Sequence, residues 1–172
     1  GMPFDMARNV GVHAALNLGA QYVFMYDSDV VTPHDAILRL MRHNLPFVSG
    51  MYCRRSPPHA VPVMIKGTWV TDFQRGKMVE VDMVGAGCLL IHRSVFDSLP
   101  HQRPGHPWFD WRVNQTGILP PHECFSEDFT LCMHYKKHGG HVYVDTSVKC
   151  RHIGYGEAGD GTFLPLNTTP ST

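Results

Sequence analysis

The chain has 172 residues, 43% hydrophobic and 17% charged, with acidic and basic side chains in balance and a formal net charge of zero. That size and composition define one globular domain and exclude a disordered chain, and the neutral balance excludes the electropositive footprint of a nucleic-acid binder. No apolar run approaches the roughly 20 residues that cross a bilayer, so no transmembrane segment is expected. Five cysteines without a C-x-x-C pair suggest buried thiols in a reducing compartment, the cytoplasm by default.

In chain order, Met6, Val10, Ala14 and Leu18 recur every four residues and predict a helix buried along that stripe, stopped by Gly19. Residues 22–26, YVFMY, are a short continuous apolar run, the pattern of a parallel strand covered on both faces. Thr32 as N-cap, Pro33 in the first turn and Asp35 predict a second helix, with Ile37, Leu38 and Met41 buried. Residues 47–53 read as the next strand. Pro57, Pro58 and Pro62 break the following stretch, with short strands expected at 63–65 and 69–73. Residues 78–83 alternate apolar with acidic side chains and should be half exposed, 87–92 form a strand, and 94–99 a short helix.

Residues 100–124, rich in proline and histidine and carrying Trp108, Phe109 and Trp111, predict a long surface loop. Ser126 caps a helix buried through Phe129, Cys132 and Met133 and ended by Gly139-Gly140. His134 and His138 have the spacing of a zinc pair, but no glutamate follows the first, so they read as a solvated helix face. Strands follow at 142–144 and 148–150. From Gly154 the chain turns to glycine, threonine and proline. The expected organisation is a single α/β domain over 1–154 and a flexible tail over 155–172.

The chemistry-bearing residues start with Asp27-Ser28-Asp29. In an extended segment residues two apart share a side, so Asp27 and Asp29 would converge at the carboxyl end of a strand, where open sheets bind ligands. Two adjacent carboxylates repel unless a cation lies between them, and hard oxygen ligands suit Mg²⁺ or Mn²⁺. An acidic turn with Asp29 capping local backbone fits the same three residues. Glu127 and Asp128 follow Ser126 in a first helical turn, where the dipole favours negative charge and a general base would be held rigidly. Ordinary helix-end charge complementation explains the segment better when it is taken alone. His152, after a strand and before a glycine-rich stretch, could reach the same sheet end as a third ligand.

Taken in order, ARN (7–9), YVFMYDSDV (22–30), VGAGCLLIHRSVF (84–96), PWF (107–109), SEDF (126–129) and VDTSVKCRHIG (144–154) resemble glycosyltransferases of the A-type fold, nearest to small family-2-like enzymes. The resemblance implies a mostly parallel sheet flanked by helices. It implies transfer of a sugar from a UDP- or GDP-sugar to an acceptor hydroxyl of unspecified identity, with inversion, and Mn²⁺ or Mg²⁺ held by Asp27, Asp29 and His152. Arg8, Asp27, Ser28 and the small residues Gly85, Ala86 and Gly87 would meet the donor. Asp128, with Glu127 beside it, would be the acceptor base, and Trp108 and Trp111 the acceptor platforms, although anchoring of the loop against the core explains the two tryptophans equally well.

Family members carry a strand, a helix and another strand before the ARN-like segment. The resemblance therefore implies a form lacking the usual N-terminal nucleotide-binding strands, whose exposed sheet edge favours a homo-oligomer. Two other readings stand beside this one. A catalytically inactive module would keep the same motifs for binding metal and nucleotide. DSDVV also resembles the first motif of haloacid-dehalogenase-type phosphatases, in which Asp27 would be a nucleophile.

Overall fold

The computed structural model describes residues 2–53, 63–69, 76–111, 125–153, 156–159 and 162–165. The basic pair Arg54-Arg55, Cys124, most of the expected strand at 69–73 and part of the expected loop at 100–124 lie outside the described residues. The chain runs α1 (Phe4–Asn17), β1 (Tyr22–Tyr26), β2 (Val30–Val31), α2 (Ala36–Arg42), β3 (Phe47–Met51), β4 (Val63–Ile65), β5 (Thr68–Trp69), β6 (Met78–Val81), β7 (Met83–Val84) and β8 (Cys88–His92). It continues through α3 (Arg93–Ser98), α4 (Glu127–Lys137), β9 (Val142–Lys149), β10 (Arg151–Ile153), β11 (Gly156–Gly159) and β12 (Thr162–Pro165).

The apolar runs assemble a five-stranded sheet in the order β1-β8-β3-β9-β6. Alternation along β8 shows why its run is continuous. Leu89 and Ile91 join a core with Val12, Phe96 and Leu131, whereas Cys88 and Leu90 join a second core with Leu40 and Val48. Helices α1, α3 and α4 cover the first face and α2 the second.

The expected mostly parallel, A-type sheet is overturned. Of the four pairings, β1–β8, β8–β3 and β9–β6 are antiparallel, and only β3–β9 is parallel. A continuous apolar run reports burial on both faces, which an antiparallel strand between two helical layers also has; it carries no information about direction. β1, expected to be covered on both faces, is the outer strand of this order, and Tyr26 at its end is exposed. Among the described residues two smaller sheets accompany the five-stranded one, β12-β11-β10-β2 and β5-β4-β7. Part of the segment expected as a tail thus carries strand pairing, since β11 and β12 extend from β10.

Two helices are rotated from their expected phase. On α1 the stripe of Met6, Val10, Ala14 and Leu18 faces solvent, and the buried side carries Asp5, Asn9 and Val12. On α2, which begins at Ala36 rather than beside Thr32, Ile37, Leu38 and Met41 are exposed while Ala36 and Leu40 are buried. Apolar periodicity predicts phase only when the inward face is apolar, and α1 turns polar groups inward because a loop supplies their partners. On α4 Leu131 and Cys132 are buried, whereas the expected Met133 is 39% exposed.

Candidate functional site

The D-S-D segment is not extended. The Val30 amide donates to the Asp27 carbonyl at 3.0 Å, so residues 27–30 form a turn joining β1 to β2. The two carboxylates part company there. Asp27 turns toward α1 and accepts from Arg8 Nη2 at 2.9 Å, while Asp29 turns toward β10, placing Oδ2 3.2 Å from His152 Nε2. Pairing of β10 with β2 sets this register, with His152 opposite Val30 and the Ile153 amide donating to the Asp29 carbonyl at 2.7 Å.

The His152 ring is oriented from behind. Its Nδ1 lies 2.9 Å from the Cys53 carbonyl oxygen. A carbonyl only accepts, so Nδ1 carries the proton and Nε2 faces the Asp29 carboxylate. The Tyr52 ring meets the imidazole edge-on at a centroid distance of 5.9 Å, and its hydroxyl accepts from the Gly87 amide at 3.2 Å. Burial, and then the nearby Asp128, push the Tyr52 hydroxyl well above its ordinary pKa, so it stays a neutral support. Gly87 is required for this contact, because a Cβ there would lie 2.7 Å from the Tyr52 ring. The small-residue segment therefore makes room for Tyr52.

The first turn of α4 forms the opposite wall. Arg8 Nε donates to Glu127 at 2.9 Å, so one guanidinium spans Asp27 and Glu127. Burial lowers the Arg8 pKa, but Asp27 and Glu127 outweigh that effect and raise it. Burial is also the main cause raising Glu127, followed by repulsion from Asp128, with Arg8 offsetting part of the rise. Asp128 accepts from the Phe129 amide at 2.8 Å and the Ala86 amide at 3.1 Å. Ser126 occupies the N-cap position, yet its hydroxyl donates to Asp128 Oδ1 instead of capping the helix backbone.

A cleft of about 420 Å³ collects Arg8, Asp27, Ser28, Asp29, Trp111, Glu127, Asp128 and His152 of the expected residues. Gly85, Ala86 and Gly87 are buried behind it, in contact through the Ala86 amide. Trp108 does not reach it: that side chain is 4% exposed, and its indole N–H donates to the Phe96 carbonyl at 3.0 Å. Sequence reasoning missed Phe4 and Ser126. Phe4 lines the cleft and stacks on Trp111 at 6.5 Å, and nothing in its sequence neighbourhood marks an exposed aromatic as part of a site.

The expected three-ligand grouping of Asp27, Asp29 and His152 does not close, because Arg8 draws Asp27 aside. Among the described residues the one carboxylate–histidine cluster compact enough to hold an ion is Asp5, His106 and Asp110. Sequence reasoning did not point to these three residues.

In class, this is an α/β fold with a mostly antiparallel central sheet and an acidic cleft at the end of its outer strand. The fold is similar to that in the crystal structure of A197 from STIV, with a TM-score of 0.65 and 16% identity over all of this chain and 80% of that one. No protein-family model matches the chain, and no curated protein does. Among the described residues, no helix is long and apolar enough to cross a membrane.

Proposed function

We propose that the cleft is the active site of a metal-dependent glycosyltransferase that moves a sugar from a UDP- or GDP-sugar to an acceptor hydroxyl. The order of motifs from ARN to VKCRHIG supports the activity independently of strand direction. One observation carries the reading: with Nδ1 committed to the Cys53 carbonyl, His152 turns Nε2 toward the Asp29 carboxylate. The imidazole nitrogen and the carboxylate oxygen lie 3.2 Å apart, both are ligand types that Mn²⁺ accepts, and ligating histidines are oriented from their other nitrogen in this way. Charge supports it too. Four carboxylates and a single guanidinium line the cleft, a field that repels a diphosphate unless a cation accompanies it.

Bound between Asp29 and His152, a divalent ion would neutralise the departing nucleoside diphosphate. Asp128, fixed by the amides of Ala86 and Phe129, takes the proton from the attacking hydroxyl, which gives inversion at the anomeric carbon. Glu127 is committed to Arg8, so it holds the wall together rather than acting as the base. Trp111 and Phe4 offer aromatic faces to the acceptor sugar. The phosphatase reading would require Asp27 as nucleophile, but Arg8 holds that carboxylate.

Calorimetry with Mn²⁺ and UDP or GDP, followed by sugar-nucleotide turnover, tests the reading. Metal-dependent nucleotide binding and turnover, both lost in Asp29→Asn, are expected; metal-independent turnover or no nucleotide binding would overturn it. A second reading, metal and nucleotide binding without transfer, is favoured by the three donors that already occupy Asp128. Binding without turnover over a broad acceptor set would select it. The outer edge of β1, the exposed Met6 and Val10 of α1 and the exposed Leu18 that follows it support self-association. A monomer by light scattering at high concentration would overturn that part.

A further inference from the structure

We infer that Asp5, His106 and Asp110 form a second divalent-cation site, suited to Zn²⁺, that fastens the 101–111 segment to the first turn of α1. The site is independent of the cleft chemistry. One ligand atom from each of the three residues lies within 4.8 Å of the others, and both aspartates are buried.

The sequence builds the arm that delivers the histidine. Arg103-Pro104-Gly105-His106 is a turn with proline at its second position and glycine at its third, where φ is 78°. The amides and carbonyls of Arg103 and His106 pair across it. The turn lowers His106 onto α1, bringing Nδ1 to 2.9 Å from Asp5 Oδ2. That nitrogen is buried, yet close as it lies to the Asp5 carboxylate it makes no hydrogen bond. A buried ring nitrogen close to two carboxylates and bonded to neither is what a cation between them resolves.

The carboxylates are braced as ligands. Asp5 accepts from the Met6 amide at 2.8 Å and the Trp111 amide at 3.3 Å. Arg103 holds Oδ1 of Asp110 through Nε at 2.7 Å and Nη2 at 2.6 Å, and Thr130 of α4 donates to the Asp110 carbonyl at 2.6 Å. Such outer contacts orient ligands and lower the cost of ordering them. One imidazole nitrogen and two carboxylate oxygens suit Zn²⁺, whose four-coordinate sites leave a position for water; Ca²⁺ and Mg²⁺ ask for more oxygens. Because the Trp111 amide rests on Asp5, an ion here also steadies a wall of the cleft.

The test uses the whole chain, stripped with chelator and reloaded with Zn²⁺ or Co²⁺. Native mass spectrometry should find one Zn²⁺ retained per chain, and Co²⁺ should give the visible absorption of a low-coordinate site. An Asp29→Ala/His152→Ala double variant, which removes the cleft ligands, should keep that ion. His106→Gln should lose it, and Asp110→Asn should bind at least about ten-fold more weakly. No Zn²⁺ retained by the folded unsubstituted chain overturns the inference and leaves an Asp5–His106 ion pair. Equal retention by a folded His106→Gln chain, or loss of the ion in the cleft double variant, also overturns it. Should His106→Gln fail to fold by circular dichroism, the unsubstituted chain and the cleft double variant still decide the matter.

Discussion

Two carboxylate–histidine groupings, one in the cleft and one at the first turn of α1, differ in what surrounds them. In the cleft, the Asp27 and Asp29 side chains are 36% and 33% exposed, and each leans on a different partner. Beside α1, Asp5 and Asp110 are buried, and the backbone of the 101–111 segment is pinned by Asn9, which accepts from the Trp108 and Phe109 amides at 3.2 and 3.1 Å. The first grouping is open to solvent and the second is closed under a loop. Similar residue types therefore sit in different surroundings, and the difference lies in solvent access and in the number of donors that brace each carboxylate.

The comparison breaks most sharply at Asp29. Asp29→Ala should cut Mn²⁺-dependent turnover by about 100-fold or more while leaving the urea midpoint nearly unchanged, since it removes a partly exposed ligand and no core contact. Equal losses of stability and turnover would show that the cleft is structural after all. Truncating Trp108 should do the opposite. Trp108→Ala is expected to cost about 3–5 kcal/mol in urea unfolding, because a buried ring and its bond to Phe96 are both lost. For the exposed Trp111, truncation should cost about 0.5 kcal/mol or less and weaken acceptor use instead.

Arg8 ties the two walls of the cleft through Asp27 and Glu127. Arg8→Ala leaves buried Glu127 without its cation and should destabilise by about 3 kcal/mol. Adding Glu127→Gln should recover part of that loss, which a double-mutant cycle would measure. Asn9→Ala, which strands buried amides of the 108–109 segment, should cost about 2 kcal/mol and raise hydrogen exchange at Trp108 and Phe109.

The smallest expected effect is on pH dependence. Glu127 is raised in the fold above its unfolded value of about 4.3, mainly by burial. The folded state therefore holds the proton longer, and stability should decline as pH rises from that value through the folded pKa, then level off. Asp145 has the opposite sign. Burial raises its pKa, but bonds from Ser147 and His43 outweigh burial and lower it. Its contribution is present above about 3.9 and is lost as pH falls through the folded value. Glu127→Gln should flatten the first slope and Asp145→Asn the second; unfolding curves across pH 2–7 would read both.

Element existence was legible along much of the chain, because apolar runs and capping residues act locally: 22–26, 87–92 and the helix after Ser126 lie close to where they were expected. The order of the motifs also singled out most residues that line the cleft. Strand direction was not legible, since burial on both faces of β8 yields the same apolar run whichever way its neighbours point. Nor was helix phase on α1, where Asp5 and Asn9 face inward because the distant 108–111 segment completes their hydrogen bonds. The tertiary structure alone decided that Trp108 is core and Trp111 cleft, that Arg8 separates Asp27 from Asp29, and that His106 meets Asp5. Each depends on groups far apart in the chain, whose meeting is set by packing rather than by local composition.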